Sequence, residues 1–129
     1  MPGGASGNTA WPTALVAAAG ALGAVTRYRL GLALGYRSFP WATLGINLTG
    51  SFLLAVVLAG PASRWSTAVA AAVAVGFIGA YTTFSTFSYE TVALIRDDRL
   101  TAAVAYVVVS LAGGVTASAL GWLVGRSLA

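Results

Sequence analysis

Four apolar runs, each long enough to cross a bilayer, constrain the fold of this 129-residue chain more than any other feature. They cover about Thr13–Leu34, Ala42–Ala59, Thr67–Ile95 and Leu100–Val124. A helix crosses the hydrocarbon core in about 20 apolar residues, and inside lipid every backbone polar group must be bonded within the protein. The runs predict an all-α integral membrane protein with four transmembrane helices in a single domain, residues 1–129, of which residues 1–11 are a flexible tail.

Composition excludes several classes of function. Of all residues 58% are hydrophobic and only 8% are charged, and the chain has no Cys and no His. Thiol, imidazole and zinc chemistry are therefore excluded, and the spans leave no separate domain for an active site, so we expect no enzyme. The arginines are scattered among apolar runs, so we expect no nucleic-acid partner despite a net charge of +4. We expect a multi-pass protein of the inner (plasma) membrane, surrounded by the lipid bilayer.

The arginines are nearly balanced between the two sides of the predicted bundle. One side carries Arg64 and Arg126, and the other carries Arg37, Arg96 and Arg99, with Arg29 near its edge. Because the positive-inside rule needs a clear excess on one side, this balance indicates insertion in both orientations, that is, dual topology. Four helices rich in small residues are also too few to enclose a sizeable aqueous path. We therefore expect a second subunit, arranged antiparallel to the first.

The stretch from Gly76 to Glu90 is the least lipid-like part of the third run. Gly76 and Gly79 lower its helix propensity, and β-branched hydroxyl residues follow at Thr82 and Thr83. We expect the third helix to break near residues 79–83. Such a break frees backbone carbonyls, which coordinate cations in discontinuous membrane helices.

Phe84 and Phe87 lie three residues apart beyond the predicted break, among serines and threonines. Core packing is the ordinary explanation of two phenylalanines at helical spacing. Rings set among hydroxyls are an odd choice for packing, however, and the edge of an aromatic ring carries partial positive charge. Two such edges would hold a small desolvated anion without the tight grip of a fixed cation, as conduction requires. On the residues alone both interpretations stand.

Polar side chains also recur at helical spacing in the second and fourth runs. Thr43, Asn47 and Ser51 share one helix face, and Tyr106 and Ser110 share another. They either hydrogen-bond between helices or line a polar path, to which the Asn47 amide would offer two N–H donors.

Of the three charged residues inside the runs, Arg29 lies near an edge of the first run, whereas Arg27 and Glu90 each need a reason. A centrally placed arginine costs about 2.5–3.5 kcal/mol, so Arg27 either snorkels to the interface or draws anions into a wet vestibule. Glu90 is the only carboxylate within a run. It is either bonded to hydroxyls such as Thr86 and Thr83, or it is a site for a proton or a substrate cation. The second interpretation of Glu90 leads to an alternative function, a proton-coupled exporter of the small multidrug type.

Motifs in all four runs resemble those of the Fluc (CrcB) fluoride channels. The matching sequences are Gly-x-x-Gly-x-x-Thr-Thr-Phe-Ser-Thr-Phe-Ser-x-Glu at 76–90, Gly-Ala-x-x-Arg-Tyr at 23–28, Thr-Leu-x-x-Asn-x-x-Gly-x-Phe at 43–52 and Tyr-x-x-x-Ser at 106–110. The departures are alanines where the family usually has glycine, at Ala19, Ala42, Ala55 and Ala80. The resemblance implies an antiparallel, dual-topology homodimer with two pores, which exports cytoplasmic fluoride passively and so prevents fluoride toxicity.

The resemblance also assigns site residues position by position. The residues that would line the fluoride pore are Asn47, Phe84, Phe87, Tyr106, Ser110, Ser85, Thr86, Thr43 and Glu90. Among them, Asn47 would donate its amide to fluoride, and the two phenylalanines would present their ring edges. Arg27 would draw anions into a vestibule. The backbone carbonyls of Gly79 and Thr82, from both subunits, would hold a structural Na⁺ at the dimer interface.

Overall fold

The regular elements of the protein are helical throughout the part of the chain that the computed structural model describes, residues 8–35 and 37–129. Helix α1 is Ala10–Leu34, α2 is Trp41–Ala59, and a 3₁₀ turn follows at Pro61–Arg64. Helix α3 covers residues 67–81, α4 is Phe84–Arg96 and α5 is Leu100–Ser127. The all-α prediction is confirmed for these residues. Residues 1–7 of the predicted tail lie outside the described residues, and Ala10 and Trp11 belong to α1.

Three helical segments are long and apolar enough to cross a membrane. They are Trp41–Ala59, Thr67–Arg96 and Leu100–Ser127. Helix α1 has sufficient length with 25 residues, but Arg27 and Arg29 make it less apolar, and it is not among the three. The described residues therefore include three membrane-capable segments, and the fourth span stays a prediction.

The predicted helix break is confirmed at Thr82 and Thr83. Helix α3 ends at Tyr81 and α4 begins at Phe84, while both threonines between them are extended, Thr82 with ψ 161° and Thr83 with ψ 114°. Gly79 keeps helical dihedrals, φ −61° and ψ −40°, so the glycine does not itself interrupt the helix. Thr83 is instead the N-cap of α4, because its Oγ1 accepts a hydrogen bond from Thr86 N at 3.2 Å.

A seven-residue π-helical segment, Ala72–Ile78, precedes the break and was not predicted. It packs against α1 at backbone distance. A Cβ atom added to Gly23 would collide with the carbonyl oxygen of Phe77, and one added to Gly76 would press against that of Val16. The small residues of α1 therefore hold the first half of the broken helix close, as small residues do between membrane helices.

Among the described residues, helices α2 and α5 form one of the two extensive helix pairings, and α1 with α3 forms the other. Here too glycine permits close approach, since a Cβ atom on Gly121 would collide with the carbonyl oxygen of Phe52 on α2. By contrast, nothing lies within 4 Å of a Cβ atom built on Gly31, so a packing role within this chain is not seen there. The buried cluster at the other end of the pair comprises Leu44, Leu94, Ala103 and Tyr106.

Replacing Gly121 with alanine should lower the melting temperature of the purified protein in detergent. The added methyl group meets a backbone carbonyl, which cannot rotate away, so α5 must shift from α2 at a cost of about 1–3 kcal/mol. The matched control is Gly31→Ala, which should keep or raise the melting temperature because alanine is the better helix former. Equal melting temperatures for the two variants would contradict this account of the α2–α5 contact.

Candidate functional site

The amide side chain of Asn47 binds both polar groups of one residue in the break. Asn47 Nδ2 donates to the Thr83 carbonyl oxygen at 3.0 Å, and Thr83 N donates to Asn47 Oδ1 at 2.8 Å. Because a backbone N–H only donates and a carbonyl only accepts, the pair of bonds fixes which way the amide points. One of the two Nδ2 hydrogens is used by this contact. The residue predicted to donate to fluoride thus also holds the backbone where the helix is broken.

Two carbonyls at the break lose their helical donors to side chains. In an α-helix each carbonyl accepts from the N–H four residues further on. For Gly79 that donor is Thr83 N, which binds Asn47 Oδ1 instead, and for Thr82 it is Thr86 N, which binds Thr83 Oγ1 instead. These are the two carbonyls that the resemblance assigns to Na⁺. The structure therefore supplies a reason why their oxygens lack the usual helical hydrogen bond.

Side chains of α1 and α2 bind the last turn of α3. Arg27 is partly buried, and its Nε donates to the Ala80 carbonyl oxygen at 3.1 Å. The hydroxyl groups of Thr49 and Tyr81 lie 2.9 Å apart. Neither contact was predicted. Each joins residues more than thirty positions apart, and no motif or spacing in the sequence relates the two partners.

Glu90 joins three helices. Its Oε1 accepts from Thr43 Oγ1 of α2 at 2.9 Å, and its Oε2 accepts from the Tyr106 hydroxyl of α5 at 2.7 Å. One of the two interpretations of Glu90 placed hydroxyls such as Thr86 and Thr83 beside it, but those two hydroxyl groups bind each other at 3.0 Å. They lie on the turn that caps α4, whereas the facing helices place buried hydroxyls at both carboxylate oxygens.

The two phenylalanines of the motif are near each other but differ in surroundings. Their ring centroids are 5.8 Å apart. Phe87 packs edge-on against Tyr106 at 5.1 Å, next to Glu90, whereas the Phe84 side chain is 77% exposed and projects from the chain. Phe39, a loop residue that we did not single out, covers the Tyr106 ring at 5.5 Å. Phe87 therefore packs against the Tyr106 ring and also lies next to a polar residue, Glu90.

The other two hydroxyls predicted for the pore, those of Ser110 and Ser85, lie in different surroundings. Ser110 lies one turn beyond Tyr106 on α5, and its Oγ is the one buried side-chain polar atom without a hydrogen-bond partner among residues 8–35 and 37–129. Buried polar atoms ordinarily have a partner, so this hydroxyl is available to another group. Ser85 is exposed, with its Oγ 3.3 Å from Thr83 Oγ1.

An open groove of about 240 Å³ runs along the break. It brings together residues from α2, α3 and α4, among them Asn47, Ser51, Gly79, Thr82 and Phe84. Ser51 lies one turn from Asn47. Its spacing from Asn47 in the sequence had predicted that the two side chains share one face of the helix. The predicted site thus divides into a groove at the break and the Glu90 contact beside it. Helix α2 connects the two, because Asn47 lines the groove and Thr43, one turn away, binds Glu90.

Apolar helices of membrane-spanning length, with a polar break inside one of them, define a multi-pass membrane protein. Residues 14–122 match the family described as CrcB-like protein, Camphor Resistance (CrcB). The chain belongs to this family, which confirms the resemblance found in the sequence motifs.

Curated relatives cover nearly the whole of the chain. It is 45% identical over 116 residues to "Fluoride-specific ion channel FluC 2" of Moorella thermoacetica, an alignment that covers 88% of this chain and 95% of that protein. It is 46% identical over 109 residues to "Fluoride-specific ion channel FluC 1" of Desulfitobacterium hafniense, covering 82% and 96%. It is 44% identical over 119 residues to "Fluoride-specific ion channel FluC 1" of Bacillus cereus, covering 88% and 87%.

Proposed function

We propose that the protein is a fluoride-selective ion channel of the plasma membrane, which carries cytoplasmic fluoride outward passively. The observation that carries the proposal is the alignment with relatives named fluoride-specific ion channel, which spans 95% of one such relative. The neutral hydrogen-bond donors of the candidate pore support it. Its side chains offer amide, hydroxyl and ring-edge hydrogens, and the only side-chain charge placed among them is that of Glu90.

Neutral donors suit fluoride because it is small and strongly hydrated. A pore must replace its water with other donors, yet bind it weakly enough for release. We assign this task to the free Nδ2 hydrogen of Asn47, to Ser110 and to the edge of Phe87. The buried Ser110 hydroxyl supports the assignment, since it has no partner among the described residues. Tyr106, Thr43, Ser85, Thr86 and Glu90 would form the polar wall beside these donors.

The functional unit is proposed to be an antiparallel, dual-topology homodimer in which α1 provides the fourth span of each subunit. Gly79 and the Phe84 ring are exposed on the surface of the single chain, at the open groove of the break. Backbone that is broken within a membrane must be buried in protein or line a wet cavity, not face lipid. A second copy over this groove would meet that requirement and complete the walls of the pores.

The proposed structural Na⁺ fits the donor groups that this chain offers. Oxygen atoms are the ligands of hard cations, and unwound backbone carbonyls coordinate Na⁺ in other membrane proteins. Gly79 and Thr82 supply two carbonyls whose helical donors are engaged elsewhere. Two from each subunit would hold the ion between the chains. A bound Na⁺ would supply a fixed positive potential that favours anions nearby.

A fluoride electrode tests the proposed function directly. Proteoliposomes loaded with fluoride should release it rapidly when they contain the purified protein, and chloride-loaded liposomes should release chloride far more slowly. Fluoride and chloride efflux at equal rates would contradict a fluoride-selective channel.

Glu90→Gln separates the channel from the alternative, a proton-coupled exporter. Since Glu90 is held by Thr43 and Tyr106 at both oxygens, we propose that it is a fixed member of the polar wall. We expect the variant to release fluoride more slowly, by about 10-fold for the loss of one such hydrogen bond, and the wild type to need no pH gradient. Efflux that occurs only with a pH gradient, and disappears in the variant, would favour the exporter.

A further inference from the structure

The carbonyl of Ala80 lies between the two carbonyls assigned to Na⁺ and has a different partner. Its helical donor would be the N–H of Phe84, which is on the far side of the break as the first residue of α4. Arg27 of α1 takes that place, with its Nε 3.1 Å from the Ala80 oxygen. Among the carbonyls of Gly79, Ala80 and Thr82, Ala80 is the one that receives a side-chain hydrogen bond in the described part of the chain.

We propose that Arg27 is a positioning residue of the cation site, which acts through this hydrogen bond and not through its charge. The proposal rests on the proposed function, specifically on Na⁺ binding by the Gly79 and Thr82 carbonyls. Arg27 Nε holds the peptide plane that joins Ala80 to Tyr81, and this plane sets the course of the backbone from one Na⁺ ligand to the other. It also occupies the Ala80 carbonyl, one of the two carbonyls that lie between the proposed Na⁺ ligands.

The charge of Arg27 works against the cation. A guanidinium group repels a nearby Na⁺, and the repulsion is stronger in a partly buried site than in water. Any support that Arg27 gives to Na⁺ binding must therefore come from the orientation it imposes on the backbone. A neutral side chain with an N–H in the same place should serve equally well.

Two neutral substitutions at Arg27 form a matched pair. In Arg27→Gln the amide nitrogen is separated from Cα by the same number of bonds as Nε of arginine, so an N–H donor stays in reach of the Ala80 oxygen. In Arg27→Met a methyl group stands at that position, with similar length and no donor. The two variants lose the same charge and differ in the amide group that can donate to the Ala80 oxygen, which separates positioning from attraction of anions.

The measurement is the Na⁺ dependence of stability, which does not require a conducting channel. The melting temperature of the detergent-solubilised protein is recorded while Na⁺ replaces N-methylglucamine at constant ionic strength. We expect the Na⁺ concentration for half-maximal stabilisation to rise at least about 10-fold in Arg27→Met, the effect of losing one hydrogen bond to a backbone carbonyl, and to stay within about 3-fold of wild type in Arg27→Gln. Arg29→Met, a change at an exposed residue of the same helix, is the control and should leave it unchanged.

The outcomes distinguish this inference from the proposed function. Equal shifts in Arg27→Gln and Arg27→Met, or no shift in either, would overturn the positioning role while fluoride efflux of the wild type stands. If the melting temperature of the wild type does not change with Na⁺ concentration, both the proposed cation site and the role of Arg27 are overturned. If Arg27→Met does not fold, Arg27→Gln still decides, because loss of Na⁺ dependence in a variant that keeps the donor contradicts the inference.

Discussion

Replacing Asn47 with aspartate should reduce fluoride efflux from proteoliposomes by about 100-fold or more, the largest effect that we expect of any single substitution. The new carboxylate would still accept a hydrogen bond from Thr83 N. It would lose the N–H that binds the Thr83 carbonyl at 3.0 Å and would place a second oxygen against that carbonyl. It would also add a negative charge to a path for anions and remove the remaining amide hydrogen that we assign to fluoride.

The control for Asn47→Asp is Thr26→Val, which is similarly close in size to the residue it replaces. Thr26 Oγ1 donates only to the Leu22 carbonyl of its own helix, so its loss should leave efflux within about 3-fold of wild type. Size-exclusion chromatography must show that both variants stay folded. An Asn47→Asp protein that releases fluoride at the wild-type rate would contradict both the contact that holds the break and the donor role.

Phe87→Ile should lower fluoride efflux by about 10-fold or more. The substitution keeps an apolar side chain but removes the ring that packs edge-on against Tyr106 at 5.1 Å and lies 5.8 Å from Phe84. The aliphatic side chain lacks the partial positive edge of an aromatic ring, so it cannot replace part of the hydration of fluoride. The measurement is efflux from proteoliposomes at equal protein density.

The matched control for this effect is Phe77→Ile, the same change of side chain in the other half of the broken helix. Phe77 stacks on Tyr81 at 6.2 Å, outside the groove and the Glu90 contact. Its replacement should reduce stability more than efflux. Equal losses of efflux in the two variants would indicate that Phe87 acts only through packing.

Much of the architecture could be predicted from local features of the sequence. Apolar runs of about 20 residues predict helices in lipid because no other single segment bonds all its own backbone there. The break was predicted from residues 79–83, and it lies at Thr82 and Thr83 because the second threonine caps α4 with its own hydroxyl group. The π-helical segment Ala72–Ile78 could not be predicted, because it depends on close packing against α1 as well as on its own sequence.

The partners of the polar residues could not be predicted in the same way. One interpretation of Glu90 bonded it to hydroxyls of the same run, the only neighbours that helical spacing can identify. Its bonds to Thr43 and Tyr106 join residues that are 47 and 16 positions away. The same holds for Asn47 with Thr83, and for Arg27 with Ala80, which are 36 and 53 positions apart.

The sequence by itself determined that this protein is helical, belongs in a membrane and carries the motifs of the CrcB family, because hydrophobic length and motif spacing are properties of neighbouring residues. Only the tertiary structure decided how the break is held. The Gly79 carbonyl loses its helical donor to Asn47 of α2, and Arg27 of α1 bonds the Ala80 carbonyl, so both contacts depend on how the helices pack. The carbonyls of Gly79 and Thr82, to which we propose that Na⁺ binds, lack their helical donors because Asn47 and Thr83 side chains occupy those N–H groups.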